Sequence, residues 1–361
     1  MPEVSVRGLT KRYGKVVAVD DATLTIKDGE YVTILGPSGC GKTTLIRMIA
    51  GIIEPTEGQV FIDGKDMKGV PIEERDLGYV FQNIALFPNL NVGENVSYSP
   101  RVKGKSVKEQ SSTAHRYLEL VKLLDKMGMF PSELCGGEQQ KVSLARALAT
   151  GSKLLLLDEP LSALDARVRV DLRYDLRRLV KSLGITTIHV THDQEEAMSV
   201  SDRIVLMRAG AIVEMGTPEE LYTRPKNIFT MNFIGETNLI EGWVREKDRD
   251  LSKIELRDGS EIEVLNCPFD VGEAVVISVR PEFVYPFTSG LLSKITSVTY
   301  MGTYWRMTAE TLSEDEVDFD VPVSDGHLYK VGQEVYLMMN RKAVVLFPRP
   351  QEGIVEAVKL E

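Results

Sequence analysis

Apolar spacing along the chain changes character several times, and each change predicts an element. Val4 and Val6, then Leu24 and Ile26, stand between polar neighbours, a period of two that predicts antiparallel strands. Tyr31 to Leu35 is a β-rich apolar run. Leu45, Ile46, Ile49 and Ala50 then recur at helical spacing, with Gly51 placed to end the helix. Gln59 to Asp63 alternates into the turn Asp63-Gly64, and Leu77 to Phe81 reads as a further strand that delivers Gln82 at its end. Beyond Pro88 the spacing turns helical, and Tyr117, Leu120, Val121 and Leu124 predict one buried face. Leu154 to Leu157, four leucines without alternation, predict a strand buried on both faces of a parallel sheet, and Thr186 to Thr191 a second. Between them Val168, Leu172, Leu176, Leu179 and Leu183 mark a long amphipathic helix closed by Gly184. After the strand Arg203 to Met207, Thr217-Pro218-Glu219-Glu220 carries the cap, proline and acid of a helix start.

From about Thr237 the pattern is different. Short alternating stretches at Ile254 to Leu256, Ile262 to Leu265, Val275 to Val279, Tyr304 to Glu310 and Val335 to Met339 are separated by turns, with no helical period. The prediction is an α/β domain over 1–235, with a mostly helical insertion at about 84–150, followed by an all-β barrel over 236–361.

Composition narrows the class. At 361 residues there is chain enough for two cores, and the apolar fraction of 43% is that of a globular protein. No apolar run approaches the roughly 18–20 residues that span a bilayer, so a membrane role would require docking to a partner. Residues 1–9 lack an apolar export core. Three cysteines without paired spacing predict reduced thiols, and a net charge of −10 argues against a general nucleic-acid binder.

Candidate chemistry begins where the first buried strand meets its helix. Gly36-Pro37-Ser38-Gly39-Cys40-Gly41-Lys42-Thr43-Thr44 is a glycine-rich loop between a strand and a helix, the context of a phosphate cradle. The glycines let backbone N–H groups curl around a phosphate, Lys42 is placed for the β- and γ-phosphate oxygens, and Thr43 for Mg²⁺. Such a loop needs an acidic partner, and Leu154 to Glu159 supplies one: Asp158 for the metal shell and Glu159 as a general base. Tyr13, in the turn Lys11-Arg12-Tyr13-Gly14, is either a packed surface tyrosine, the commoner case for such a residue, or a flat ring on which an adenine can stack.

With these residues in order the chain resembles the ATP-binding subunits of ABC transporters, through nearly all of Met1 to Phe233. Gly36 to Thr44 is similar to their Walker A loop and Leu154 to Glu159 to their Walker B strand. Leu134-Cys135-Gly136-Gly137-Glu138-Gln139-Gln140-Lys141 is similar to their signature. Gln82 falls at the Q-loop, Ser162-Ala163-Leu164-Asp165 at the D-loop, His192 at the switch histidine and Tyr13 at the adenine-stacking aromatic. The resemblance implies a P-loop NTPase cassette binding ATP and Mg²⁺. Thr43, Gln82 and Asp158 would lie near the metal, and Glu159, His192, Gln82 and Lys42 would carry hydrolysis. It implies a head-to-tail homodimer in which Cys135, Gly136, Gly137, Glu138 and Asp165 of one copy complete the site of the other.

Phe233 to Asn238 and Val279-Arg280-Pro281-Glu282 further resemble importers with a C-terminal transport-associated OB-like domain, the group of maltose, polyamine, sulfate, molybdate and ferric-iron importers. That implies a peripheral subunit at the cytoplasmic face, docked to transmembrane permease subunits near Gln82 to Leu90, with Phe87 and Pro88 in the contact. An extracytoplasmic solute-binding protein would be an indirect partner. A soluble ABC-type ATPase working on DNA or ribosomes is the competing expectation; the insertion lacks its long heptads and only one motif set is present. Two residues depart from the family pattern: Cys135 stands where Ser is usual, and Lys141 where Arg is.

Overall fold

The computed structural model describes residues 2–162, 164–248 and 251–360. Ala163 of the expected D-loop, and Met1 and Glu361 of the expected domain ranges, lie outside the described residues. The chain forms two compact units, Met1–Pro218 and Glu219–Leu360.

In the first unit, β1 (Val4–Tyr13) and β2 (Val16–Ile26) pair antiparallel as their alternation predicts. β3 (Tyr31–Leu35) leads into α1 (Lys42–Ala50), and β4 (Glu57–Ile62) and β5 (Lys65–Asp66) form the hairpin at Asp63-Gly64. β6 (Leu77–Val80) precedes three helices, α2 (Val92–Val102), α3 (Val107–Leu120) and α4 (Gly136–Leu148). Then come β7 (Leu154–Asp158), α5 (Ala166–Leu183), β8 (Thr186–Thr191), α6 (Gln194–Val200), β9 (Arg203–Arg208) and β10 (Ala211–Gly216). Two sheets result, one ordered β2-β1-β4-β5 and one ordered β10-β9-β3-β8-β7-β6. In the second sheet every neighbouring pair is parallel except β9 with β10.

The four-leucine run explains the layering. Leu154 and Leu156 enter a core with Val4, Leu45, Ile49 and Ile188; Leu155 and Leu157 face the other way, into a core with Val96, Leu118, Val142 and Leu176. Both faces of β7 are covered, so alternation would have buried polar groups without partners. One expectation fails here. Leu120 is 42% exposed at the end of α3, and the buried face is made instead by Ala114, Leu118 and Val121. Those three keep the i, i+4, i+7 spacing, which Leu120 does not share.

The second unit is all-β apart from short helices, including α7 (Pro218–Thr223), whose first residue belongs to the first unit, and α8 (Ile228–Phe233). Among the described residues its strands are β11 (Asn238–Lys247), β12 (Leu251–Glu255), β13 (Glu261–Leu265), β14 (Ala274–Val279), β15 (Val284–Phe287), β16 (Leu291–Tyr300), β17 (Tyr304–Thr311), β18 (Glu316–Pro322), β19 (Glu334–Met339) and β20 (Val345–Pro348). They make two five-stranded antiparallel sheets, β13-β12-β11-β14-β20 and β15-β19-β16-β17-β18, around one shared core that includes Ile240, Val275, Met307 and Phe319.

The compact units divide ahead of 235/236 because the intervening segment is held to the strands that follow. Met231 packs with Val276 and Phe347. Arg280, only 1% exposed, donates to the carbonyls of Tyr222 at 3.2 and 3.1 Å and of Glu236 at 3.1 Å, and its guanidinium lies 3.8 Å from the Tyr222 ring centre. A buried guanidinium satisfied by carbonyls is costly to truncate, because the acceptors lose a charged donor. Arg280→Ala is expected to cost about 3 kcal/mol of stability, read as a lower thermal or denaturant midpoint. Lys at this position should recover only part of it, since a single ammonium cannot replace the planar fork.

Candidate nucleotide site

The functional side chains gather where the parallel strands end. Ligands of open α/β sheets bind at the carboxyl edge; here the glycine loop follows β3, Gln82 follows β6, Asp158 and Glu159 close β7, and His192 follows β8. The loop itself is a cradle with no room for side chains at two points. A Cβ on Gly36 would stand 2.2 Å from the Met207 carbonyl oxygen, and one on Gly41 (φ +104°) 2.1 Å from that of Ala18. Ser38 and Gly39 are exposed, while Cys40 is buried, which pushes its thiol pKa up. Pro37 lends its carbonyl to Lys42, and Thr44 sits in the first turn of α1.

Lys42 is nearly buried and folds back on the loop, its Nζ donating to the carbonyls of Gly36 at 2.8 Å and Pro37 at 2.6 Å. An ammonium held on neutral carbonyls is free to exchange them for an anionic oxygen, a stronger acceptor. One residue on, the Thr43 hydroxyl donates to Oδ1 of Asp158 at 3.0 Å. The fully buried Asp158 also accepts from the Tyr79 hydroxyl at 3.1 Å and lies 3.5 Å from the Arg47 guanidinium. Burial, and then Asp158 beside it, drives the Tyr79 pKa well up, so its proton stays on as a donor. Hydroxyl and carboxylate oxygens converging at the mouth of a phosphate cradle suit a hard cation such as Mg²⁺.

Three candidates for hydrolysis meet on one atom. Oε2 of Glu159 accepts from Nε2 of Gln82 at 3.1 Å and lies 3.4 Å from Nδ1 of His192. Glu159 has a backbone φ of +47°, rare for a side chain of this kind, and its N–H is tied to Val190 O at 2.9 Å. Such strain costs about 1–3 kcal/mol and collects at functional positions. It turns adjacent carboxylates apart, Asp158 toward Thr43 and Glu159 toward Gln82 and His192.

The remaining expected residues stand in two other places. Tyr13 is 49% exposed at the end of β1, with the Lys11 ammonium 5.1 Å from its ring centre. Cys135 to Glu138 form the start of α4. Cys135 is exposed, its N–H donates to Glu138 Oε2 at 3.2 Å, and Gly137 faces the Val168 side chain so closely that a Cβ would stand 2.8 Å from it. The ion pair with Lys126 holds the Glu138 carboxyl below its usual range. Asp165 caps α5 by accepting from Val168 N at 3.0 Å, so the signature turn and the D-loop end share a neighbour. Among the described residues, no hydrogen bond or ion pair joins Tyr13, Cys135 to Glu138 or Asp165 to the side chains of Lys42, Asp158 or Glu159.

Ser162, the first residue of the expected D-loop, donates its hydroxyl to the Glu159 carbonyl at 3.0 Å, while Tyr79 and Arg47 are site residues that the sequence reading does not contain. Arg47 was within reach, four residues after Thr43 on one helix face. Tyr79 becomes visible only when β6 and β7 are paired in register, Tyr79 opposite Leu156.

Comparisons with known proteins agree in kind. Residues 19–162 match the ABC transporter family and residues 277–347 the TOBE domain. The spermidine/putrescine import ATP-binding protein PotA of Pseudomonas aeruginosa (strain UCBPP-PA14) is 43% identical over 283 residues, 78% of each chain. The sulfate/thiosulfate import ATP-binding protein CysA 2 of Chromobacterium violaceum is 43% identical over 321 residues, 84% of this chain and 83% of that one. The Fe(3+) ions import ATP-binding protein FbpC 1 of Haemophilus influenzae is 42% identical over 302 residues, 82% of this chain and 90% of that one. Among solved structures, the dimeric post-hydrolysis state of the ATP-binding cassette MJ0796 bound to ADP and Pi matches with a TM-score of 0.54 at 33% identity. The match covers 60% of this chain and 98% of that one.

Proposed function

The chain belongs to the ABC transporter family, and from that premise we propose that it is the ATP-hydrolysing subunit of an importer. It works as a homodimer on the membrane periphery and drives permease subunits. The observation that carries the reading is the meeting of Gln82 and His192 on one oxygen of Glu159, next to a Thr43–Asp158 pair at a glycine cradle. Among the described residues no helix is long and apolar enough to cross a membrane; the membrane crossing is assigned to the permease subunits. Relatives named for a polyamine, an anion and a metal ion match this chain at 42–43% identity. A subunit equally similar to all three supplies energy, while solute choice rests with permeases and an extracytoplasmic solute-binding protein.

In the mechanism, the loop N–H groups and Lys42 bind the phosphates and Tyr13 stacks on the adenine. Thr43, Asp158 and Gln82 would hold Mg²⁺, which when bound neutralises charge on the β- and γ-phosphate oxygens. Glu159 polarises the attacking water, and His192 bridges Glu159 and the γ-phosphate. Cys135, Gly136, Gly137, Glu138 and Asp165 act on the partner's ATP, which fits their separation from Lys42 and Glu159 within one chain. Each site is therefore finished only by a second copy.

The permease contact is assigned to the segment Gln82 to Leu90. Phe81 and Phe87 are 40% and 37% exposed, and the buried Asn95 pins the segment by bonds to Phe87 N, Phe87 O and Leu90 O at 2.9, 3.1 and 2.9 Å. A rigid, partly apolar segment beginning at Gln82 can pass a push from a docked helix to the Glu159 site. The all-β part, residues 236–361, is assigned a regulatory role. Magnesium-dependent ATP release of phosphate by the purified protein, stimulated in membranes holding its permease, tests the reading.

The Cys135 departure gives a separate expectation. A thiol donates more weakly than a hydroxyl, so Cys135→Ser should raise the turnover number by up to about fivefold, the size of one neutral hydrogen bond of about 1 kcal/mol. Steady-state phosphate release from the two proteins checks this; equal turnover removes the thiol from the account.

A further inference from the structure

Behind the His192 turn lies a buried polar chain that none of the motifs explains. β8 places His189 in the interior with its ring wholly buried. Nδ1 of His189 is 3.0 Å from the Tyr31 hydroxyl on β3, and Nε2 is 3.3 Å from Oε1 of Glu196 on α6. Glu196 is itself only 3% exposed, and its other oxygen accepts from the Thr191 hydroxyl at 2.6 Å. That hydroxyl accepts in turn from Asp193 N at 3.1 Å, and Oδ1 of Asp193 from Glu196 N at 2.9 Å. Thr191 and Asp193, the residues on either side of His192, are thus both fastened to Glu196.

What holds Glu196 is the question. The buried Arg173 and its neighbour Arg169 pair with Asp193, at 3.7 and 3.3 Å. Oε1 of Glu196 and Nε2 of His189 lie 3.3 Å apart, and among the described residues neither has a hydrogen-bond partner. Burial lowers the His189 pKa against the opposing pull of the Glu196 charge, which favours the uncharged ring. In the tautomer in which the Tyr31 hydroxyl donates to Nδ1, the ring proton is on Nε2, 3.3 Å from the carboxylate oxygen. Since Oε1 of Glu196 has no hydrogen-bond partner, the His189 ring packed 3.3 Å from it is what keeps that side of the carboxylate in place, and without the ring the carboxylate has room to move.

We propose that His189, acting through Glu196, is a positioning residue that fixes the His192 turn where the His192 ring reaches Glu159. The inference rests on the hydrolytic reading of Glu159 and His192, and adds to it a support reaching back to β3. The three groups Tyr31, His189 and Glu196 come from three elements of one compact unit, so the support is independent of any partner.

The test compares His189→Leu, His189→Gln and the milder Tyr31→Phe by steady-state ATP kinetics, thermal midpoint and the ring resonances of His192 in NMR spectra. Misplacing a reacting group by about 1 Å costs on the order of a hundredfold in rate. His189→Leu is therefore expected to lower kcat roughly 10–100-fold with KM for ATP unchanged within about twofold, and to shift the His192 resonances. Gln carries an acceptor and a donor and should restore kcat to within about threefold of the parent. Adding Glu196→Leu to His189→Leu should cost less than the two losses multiplied, because the pair acts as a unit. Unchanged kcat, a KM rising in step with the loss, or a lower thermal midpoint with His192 resonances and kcat unmoved would each overturn the proposal. Parent protein that binds ATP without turning it over would defeat the hydrolytic reading, and the His192 resonances would still decide this one.

Discussion

Glu159→Gln should bind Mg·ATP with the affinity of the parent protein and turn it over roughly 10²–10⁴-fold more slowly, the range of a lost general base. Gln keeps the size of the side chain and an oxygen that can accept from Gln82 Nε2, so the geometry at the end of β7 survives. What disappears is the negative charge that draws a proton from water. The loop and Lys42 are untouched, which is why affinity should hold. Single-turnover phosphate release together with nucleotide binding on the same sample separates the two effects. Turnover within tenfold of the parent would take the base assignment away from Glu159.

Lys42→Ala should fail in the opposite way. Its ammonium is the charged donor nearest the phosphate cradle, held ready on Gly36 and Pro37. Hydrogen bonds to charged groups are worth about 1.5–3 kcal/mol each, so losing those to the phosphates should weaken ATP binding roughly 10–100-fold. Turnover falls as well because the same bonds orient the γ-phosphate. The substitution also leaves two loop carbonyls without their donor, and a small loss of thermal stability in nucleotide-free protein should accompany it. Equilibrium titration with a fluorescent ATP analogue reads the affinity directly; an unchanged dissociation constant would contradict the role given to Lys42.

How far the sequence led depends on the kind of signal each residue left. β7 was legible because burial on both faces forces an unbroken apolar run, and Leu154 to Leu157 provide one. The cradle was legible because its steric demand is local: Gly36 and Gly41 admit no Cβ. Leu120 misleads because it lies three residues after Tyr117 and so looks like part of the stripe, while the buried line runs through Ala114, Leu118 and Val121 and leaves Leu120 on the outer side. The Pro218/Glu219 division between units was invisible for a different reason. It depends on Arg280 reaching back to the Tyr222 and Glu236 carbonyls, a contact between residues 58 and 44 positions apart. The same holds for Tyr79 on Asp158 and for Tyr31 behind His189, where sheet register makes neighbours of residues that no spacing rule connects.

The motif spacing carried the chemistry further than the periodicity did. Gln82, Glu159 and His192 lie on three different strand ends, and only the parallel order β3-β8-β7-β6 makes their convergence on one oxygen a consequence of the fold.

The central claim is that one hydrolytic site is assembled from two copies of this chain, and sedimentation velocity of Glu159→Gln in Mg·ATP and in Mg·ADP tests it most directly. The account predicts a dimer in Mg·ATP that Gly136→Asp abolishes, through like-charge repulsion of the γ-phosphate at the signature turn, while ATP binding to the single chain persists. A chain that sediments as a monomer with ATP bound, or a dimer indifferent to the Gly136 substitution, would contradict it.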